Sequence, residues 1–318
     1  MRVLVTGGAG FIGSNLCKFL MSSSGIGSVI ALDDLSTGSE DNLRGVDVEL
    51  VRGSILDPEC LTRVALKVDA IVHLAARPSV PRSIADPRPS HDANATGTLN
   101  VLEAAREAGA RVIVASSSSV YGANPQLPKV ESMTARPMSP YAASKLATES
   151  YALAWAYSYG LGVLAFRFFN VYGPLQAAGH SYAAVIPAFI DATLRNQPLK
   201  VNGDGSQSRD FTYVDSVCGV IWDALVRGVT HDTPVNLALG TRTSINDLID
   251  VIGDVSGKQV KVEYHGARVG DVLHSSADPT LLRSLFPNVE AVPLAVGIRN
   301  TYEWMASASE SRARADVG

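Results

Sequence analysis

The stretch MRVLVTGGAGFIG at residues 1–13 decides the fold. A β-branched run at 2–6 leads into Gly7, Gly10 and Gly13, and an apolar helical pattern follows. Glycines let backbone N–H groups approach an anion closely, and the start of a helix adds partial positive charge. The spacing is GxxGxxG, so the argument depends on its place between strand and helix. The stretch therefore predicts a loop that binds the pyrophosphate of a dinucleotide. An ordinary strand-to-helix turn is the alternative.

An acidic residue at the end of the second predicted strand extends this pattern. Asp33 lies twenty residues past Gly13. A carboxylate at that place accepts hydrogen bonds from ribose hydroxyls and repels a 2′-phosphate. We therefore expect NAD rather than NADP, with Asp33 as the ligand and Asp34 capping the next turn.

Around this stretch, short apolar runs alternate with helical patterns. The predicted strands cover 2–6, 28–32, 48–52, 70–74, 111–116 and 162–168, and the predicted helices cover 12–23, 58–68, 93–108 and 140–159. The strands are apolar on both faces, as are strands covered by helices on both sides. The pattern predicts an α/β fold with a doubly wound parallel sheet of the Rossmann type.

The pattern changes after about residue 170. Gly173-Pro174 and the turn sequence at 202–205 punctuate shorter elements. Helices are predicted at 183–196, 215–227 and 244–255, and a short strand at 236–239. We expect an NAD-binding domain over 1–170 and a smaller α/β substrate domain over 171–305, with some elements interleaved. The polar residues 306–318 are predicted to form a flexible tail.

Composition excludes several classes of protein. The chain has 318 residues, 46% hydrophobic and 18% charged, with a net charge of −4. It is too apolar for a disordered chain, and no charge excess indicates nucleic acid or an anionic membrane. Its three cysteines, Cys17, Cys60 and Cys218, are far apart and form no metal-binding pattern. No membrane span or signal peptide is recognisable, so we expect a cytoplasmic protein without a metal site.

A second group of polar residues follows the fifth predicted strand. Ser116-Ser117-Ser118-Ser119 stands at its carboxyl end, where ligands bind in doubly wound folds. On the next helix, Tyr141 and Lys145 lie one turn apart on the same face. A nearby ammonium and a cationic nicotinamide ring are expected to lower the tyrosine pKa from about 10 and favour the phenolate. Ser117 is predicted to hydrogen-bond the substrate oxygen whose proton Tyr141 takes.

These motifs together resemble the extended short-chain dehydrogenase/reductase family over nearly the whole chain. They are the glycine loop, HLAA at 73–76, SSSSVYG at 116–122, Tyr141-xxx-Lys145 and RFFN at 167–170. Within that family the chain is most similar to UDP-sugar 4-epimerases, and especially to the UDP-N-acetylglucosamine branch. The segments SVPRSI at 79–84, LPKVE at 127–131, YAAVIP at 182–187, NGDG at 202–205 and SRDF at 208–211 carry that closer similarity.

The resemblance implies a set of site residues. The catalytic residues are Ser117, Tyr141 and Lys145. NAD-binding residues are Gly7, Gly10, Phe11, Ile12, Gly13, Asp33, Ser54, Ile55, Leu74, Ala75, Ala76, Asn94, Tyr141, Lys145 and Phe168. Substrate-binding residues are Ser79, Arg82, Ser117, Ser118, Tyr141, Asn170, Ala184, Val185, Val201, Arg209, Arg268, Asp271 and Ser275.

Several of these residues have an implied role. Asn170, Arg209 and Arg268 match residues that hold the UDP diphosphate, and a guanidinium suits a phosphate because it donates two parallel hydrogen bonds. Asp271 matches the carboxylate on the uridine ribose. Ser54 stands where the family often has Asp, which puts its adenine contact in doubt.

Four positions bear on the reaction. Dehydratases of the family carry acidic groups where this chain has Ser118 and Ser119, so dehydration is disfavoured. Ser275 aligns with a gate position that is small in relatives admitting an N-acetyl group. Asn170 stands where UDP-glucuronate 4-epimerases typically have Thr.

We therefore expect NAD-dependent C4 epimerisation of a UDP-hexose through a transient 4-keto sugar. UDP-GlcNAc/UDP-GalNAc is the expected pair, with UDP-Glc/UDP-Gal also open. The alternatives are a UDP-glucuronate 4-epimerase, for which Arg77 and Arg82 bordering the sugar would speak, and an inactive NAD-binding regulator. The resemblance also implies a homodimer formed through the helices beginning near Ala93 and Pro140.

Overall fold

A seven-stranded parallel sheet forms the centre of the molecule in the computed structural model, which describes residues 1–178, 184–266 and 273–315. The thirteen strands of the described residues are β1 Arg2–Thr6, β2 Ser28–Asp33, β3 Glu49–Arg52, β4 Ala70–His73, β5 Arg111–Ser117, β6 Val163–Phe168, β7 Val171–Tyr172, β8 Leu199–Asn202, β9 Ser208–Arg209, β10 Thr212–Tyr213, β11 Val235–Leu237, β12 Thr243–Ser244 and β13 Val262–His265. The main sheet has the order β11-β6-β5-β4-β1-β2-β3. The predicted fold class is confirmed.

Helices cover both faces of this sheet. They are α1 Phe11–Met21, α2 Pro58–Ala65, α3 Val80–Ala85, α4 Arg88–His91, α5 Gly97–Ala108, α6 Pro140–Tyr159, α7 Val185–Leu194, α8 Val214–Arg227, α9 Ile245–Ser256, α10 Thr280–Leu285 and α11 Leu294–Ala315. One cluster of buried residues lies on the α1 and α8 side and a second under α2, α5 and α6. This two-sided burial explains why the strands are apolar on both faces.

Local sequence fixes the ends of the helix that carries the predicted catalytic pair. The Ser139 side chain accepts a hydrogen bond from the Ala142 N–H at 3.1 Å, and Pro140 occupies the first turn. Gly160 ends the helix in the left-handed conformation at φ +68. The predicted bounds 140–159 are those observed.

The second half of the chain contributes to the main sheet. Strand β11 pairs in parallel with β6, and α8 packs against α1. The other short strands form three two-stranded ribbons, including β8 with β13. The domain boundary at residue 170 stays a prediction. Elements from beyond residue 170 are interleaved with the main sheet and its helices.

Two further findings concern the helices. Residues 306–315, expected to be part of a tail, continue α11 as helix, because the small and charged residues there are compatible with helical backbone. No helix among the described residues is long and apolar enough to span a bilayer.

Candidate active site

The parallel register brings five strand ends to one edge of the sheet. Thr6 pairs with both Leu32 and His73, and Ser117 pairs with Phe168. A cavity of about 580 Å³ opens at this edge. Its wall contains the predicted residues Gly7, Gly10, Phe11, Ile12, Gly13, Asp33, Ser54, Ile55, Leu74, Ala75, Ala76, Ser117, Tyr141, Lys145, Phe168 and Asn170. The structure therefore gathers nearly all of the predicted cofactor residues around one space.

The glycine loop forms one end of this cavity. Gly7 has φ +71, and its N–H donates to the Leu32 carbonyl oxygen at 2.8 Å. A Cβ at Gly7 would lie 2.7 Å from the Ala75 nitrogen, and one at Gly13 would collide with the Gly7 carbonyl. Larger residues cannot fit here, so the first turn of α1 is left open to a close-lying anion.

Asp33 lies at the end of β2 and is 7% exposed. Its carboxylate accepts hydrogen bonds from the backbone N–H of Ala9 at 2.9 Å and of Leu35 at 2.8 Å. Burial raises the pKa of Asp33, and these two donors oppose that effect. Each carboxylate oxygen has a second lone pair, which leaves acceptors for ribose hydroxyls on the cavity side.

The glycine loop, Asp33 and the wall of small residues together fit a dinucleotide. The backbone of Gly10, Phe11 and Ile12 would hold its pyrophosphate and Asp33 its adenosine ribose. The nicotinamide end would lie by Tyr141 and Lys145.

The predicted catalytic residues meet at the far end of the cavity. Ser117 ends β5, and its Oγ accepts hydrogen bonds from the Ser119 N–H at 3.2 Å and the Ser119 hydroxyl at 2.9 Å. With both lone pairs engaged, Ser117 directs its own proton toward the Tyr141 phenol. This hydrogen bond favours the phenolate form of Tyr141.

The expected electrostatics of this group need a correction. Burial raises the pKa of Tyr141, although the Ser117 hydrogen bond opposes the effect. Burial also lowers the pKa of Lys145 to about 8, with the Glu149 carboxylate opposing. Desolvation of Tyr141 therefore outweighs the Ser117 hydrogen bond. The predicted lowering of the tyrosine pKa by the Lys145 ammonium and the nicotinamide ring stays a prediction.

His73 supports the floor of this cavity from below. Its ring bridges the Thr6 hydroxyl at 2.8 Å and the Thr98 hydroxyl at 3.0 Å, which ties β1 to α5. Burial lowers the pKa of His73 to about 3, and the Lys145 ammonium adds to the effect. The imidazole is therefore neutral, and the sequence analysis assigned it no such role.

A second cavity of about 720 Å³ adjoins the first at Asn170 and Val171. The predicted substrate residues Ala184, Val185, Val201 and Arg209 line it. Asn170 has φ +31, and its Nδ2 donates to the Asp210 carbonyl oxygen at 3.1 Å. Arg209 donates to the carbonyl oxygens of Ser208 and Leu273.

Several predicted residues lie away from both cavity walls. Asn94 is 1% exposed and holds the Arg77 backbone and the Ser144 hydroxyl, so it lies behind the cavity. Ser79 caps α3, and Arg82 on that helix is exposed. Ser118 opens a single helical turn after β5. The direct ligand contacts assigned to these four residues stay predictions.

The remaining substrate residues lie along the segment after β13. The Ser275 N–H donates to the Ser208 carbonyl oxygen at 3.0 Å, which puts it next to the strand of Arg209. The Ser275 side chain is outside the two walls. Arg268 and Asp271 lie outside the described residues.

Arg77, expected to border the sugar, lines the first cavity. Part of both walls was not identified from the sequence: Gln176 lines the first cavity, and Lys200 and His265 line the second. Lys200 directly precedes Val201, and in an extended strand such neighbours point to opposite faces. Only the pairing of β8 with β13, which aligns His265 with Asn202, identifies that part of the wall.

Comparison with known proteins agrees with this geometry. Residues 3–240 match the NAD dependent epimerase/dehydratase family. A UDP-glucose 4-epimerase of Mycolicibacterium smegmatis is 39% identical over 320 residues, which cover 98% of this chain and all of that protein.

Two solved structures are also similar over almost their full lengths. The UDP-N-acetylglucosamine 4-epimerase of Methanobrevibacter ruminantium, in complex with UDP-N-acetylmuramic acid, has a TM-score of 0.91, 36% identity and coverage of 96% and 98% of the two chains. The UDP-glucuronic acid 4-epimerase of Bacillus cereus, with UDP-glucuronic acid and NAD bound, has a TM-score of 0.87, 28% identity and coverage of 97% and 100%. The resemblance inferred from the motifs is confirmed, and the chain belongs to the NAD-dependent epimerase/dehydratase family of enzymes.

Proposed function

We propose that this enzyme is a UDP-sugar 4-epimerase whose preferred substrates are UDP-GlcNAc and UDP-GalNAc. The observation that carries the reaction type is the junction of the two cavities. Ser117, Tyr141 and Lys145 lie on the first wall, and Asn170 lies on both. A nucleotide held in the second cavity would extend its sugar across Asn170 toward Tyr141.

The residues divide the chemistry among themselves. On sugar binding the Ser117 hydroxyl would turn its one proton from Tyr141 to the sugar O4, and Tyr141 takes the O4 proton and later returns it. NAD⁺, which the glycine loop and Asp33 would hold, would supply the redox chemistry as hydride acceptor and donor at C4. Asn170 and Arg209 hold the diphosphate while the 4-keto sugar turns to present its other face. An enzyme that holds the nucleotide firmly and the sugar loosely gives epimerisation.

The turn after β5 argues against dehydration. Elimination of water needs an acid and a base beside the tyrosine. The Ser119 hydroxyl instead donates a hydrogen bond to Ser117. The acidic residue Glu131 is engaged elsewhere, because its carboxylate accepts a hydrogen bond from the Asn236 N–H at 2.9 Å. The serine hydroxyls at 118 and 119 cannot replace an acidic pair.

The choice of sugar rests on size and charge. The resemblance aligns Ser275 with a gate position, and a small residue there would leave space for a C2 N-acetyl group, although the Ser275 side chain lies outside the two cavity walls. A UDP-glucuronate epimerase is the second candidate, because Arg77 lines the first cavity and offers a cation to a carboxylate. The homodimer also stays a prediction. The edge-to-face stripe of Tyr151, Trp155 and Tyr159 on α6 supports it.

The test is turnover of the purified enzyme with UDP-GlcNAc, UDP-Glc and UDP-GlcA in parallel, read by NMR of the C4 proton. We expect conversion of the N-acetyl sugar to its galacto epimer without added NAD⁺. Ser275→Tyr should reduce turnover of UDP-GlcNAc about tenfold or more relative to UDP-Glc, because a ring fills the space of the acetyl group.

Two controls make this test decisive. Tyr141→Phe should lose about a thousandfold in turnover of every sugar, because proton transfer typically contributes 10²–10⁴-fold. Conversion of UDP-GlcA alone would replace the N-acetyl sugar by the uronic acid and point to Arg77. No epimer from any of the three sugars would refute the epimerase proposal.

A further inference from the structure

A buried ion pair lies directly behind the catalytic residues. Glu149 is on α6, one turn beyond Lys145, and its side chain is 3% exposed. Its Oε1 accepts from the Arg167 Nη2 at 2.7 Å, and its Oε2 accepts from the Arg167 Nε at 3.0 Å. Burying such a pair is costly and often brings no stability over apolar side chains. Stability therefore does not account for this buried pair.

The same carboxylate contacts the strand end that presents Ser117. The Ser116 hydroxyl donates to Glu149 Oε2 at 2.8 Å and lies 3.2 Å from the Lys145 carbonyl oxygen. Glu149 therefore connects the backbone of the lysine turn to the residue preceding Ser117. No residue of this group contacts solvent freely, so its geometry is fixed by packing.

We propose that Glu149 is a positioning residue of the reaction, which fixes the end of β5 and keeps a negative charge one helical turn from the Lys145 ammonium. The proposal rests on the proposed function and on the expectation that the Lys145 ammonium favours the phenolate of Tyr141. Arg167, from the RFFN motif, holds Glu149 in place through two hydrogen bonds rather than touching the site itself.

Other ionisable groups surround Lys145 from the elements packed on α6. Tyr141 lies on the same helix, His73 on β4 and Arg167 on β6. The Arg167 guanidinium is 4.7 Å from the centre of the Tyr121 ring. Glu131 is engaged with Asn236. The charged residues on α3 and α4, Arg82, Arg88 and His91, are exposed.

Removing the negative charge should therefore affect Lys145 in a defined direction. Burial lowers the pKa of Lys145 to about 8, and the Glu149 carboxylate opposes that effect. Without Glu149, the ammonium loses its attraction and its pKa falls further. If Tyr141 needs the ammonium, turnover must decline at a lower pH than in the wild type.

The experiment titrates Lys145 directly in Glu149→Gln. Lysine is labelled with ¹³C, the Lys145 resonance is assigned with Lys145→Met, and its midpoint is measured by NMR. We expect the midpoint to fall by about one pH unit, as a lost charge at this range implies. The alkaline limb of turnover should move down with it. Ser116→Ala is the matched control, since it removes a hydrogen bond to Glu149 but no charge, and its Lys145 midpoint should stay in place.

The outcomes separate the two proposals. An unchanged midpoint in Glu149→Gln, or an equal shift in Ser116→Ala, would overturn the role of the Glu149 charge. If wild-type enzyme epimerises no UDP-sugar, the proposed function fails while the NMR titration still tests Glu149. If Glu149→Gln does not fold, the variant Glu149→Gln/Arg167→Met removes both charges together. Its Lys145 midpoint should fall by less, because the Arg167 cation that repels the ammonium is lost as well, and no fall at all would overturn the role of the Glu149 charge.

Discussion

The two cavities that meet at Asn170 are built in different ways. The first is formed largely by the ends of parallel strands and by a glycine turn that leaves no room for a Cβ at Gly7 or Gly13. The second is formed by side chains from α7, β8, β9 and β13, which lie far apart in sequence. A site made of backbone tolerates little substitution, and a site made of side chains can change its ligand through single residues. The cofactor should therefore be the fixed part of this enzyme and the sugar the adjustable part.

The largest effect is expected from a substitution in the glycine turn of the first cavity. A Cβ in Gly13→Ala would collide with the Gly7 carbonyl, which cannot move without the turn. We expect affinity for NAD to fall at least about a hundredfold, because the pyrophosphate loses its backbone donors. Isothermal titration of the NAD-free protein with NAD measures this.

The control for that variant lies in the same domain. A Cβ at Gly27 would lie 3.6 Å from the Met1 carbonyl oxygen, an ordinary contact. Gly27→Ala should therefore bind NAD as the wild type does. Equal affinity in Gly13→Ala and wild type would show that the turn adapts, and the contrast between the two cavities would fail.

A smaller effect is expected in the second cavity. Arg209→Ala removes the proposed diphosphate contact and should raise KM for the UDP-sugar about ten- to thirtyfold, as loss of one charge-assisted hydrogen bond implies. Affinity for NAD should not change. Arg242→Ala is the control, because Arg242 is exposed, donates to the Ser208 hydroxyl and lies outside the wall. An equal rise in KM for both variants would indicate a general loss of charge instead of a phosphate contact.

The same contrast explains what sequence alone could predict. The first cavity follows from local patterns, because a strand, a glycine turn and a helix are contiguous and place Asp33 and Tyr141 by sheet register. The second depends on pairings between distant segments. Lys200 and His265 could not be identified from spacing, since they line the same wall only when β13 pairs with β8. Asn94 is expected to be a ligand from the family resemblance, and sequence alone could not show that its amide contacts Arg77 and Ser144.

Buried polar residues were also beyond the sequence analysis. Glu149 carries no distinctive spacing, and a glutamate on a helix is ordinarily exposed. Its burial follows from the packing of α6 against β5 and β6, which brings Arg167 within reach. The charge of one residue thus becomes informative only through its tertiary partner.

The smallest expected effect is on the pH dependence of stability, and it involves two histidines, one beneath the first cavity and one lining the second. Burial lowers the pKa of His73 to about 3, so the unfolded chain binds a proton below pH ~6.5 that the folded protein does not. His73 therefore stabilises the fold less as pH falls from ~6.5 toward 3, by at most ~1.4 kcal/mol per pH unit. His73→Gln should flatten that dependence in urea unfolding between pH 6.5 and 4. His265→Gln, which removes an exposed imidazole, should retain it. If the free energy of unfolding fell steeply with pH in both variants, other groups would govern acid unfolding. His73 would then contribute no pH dependence.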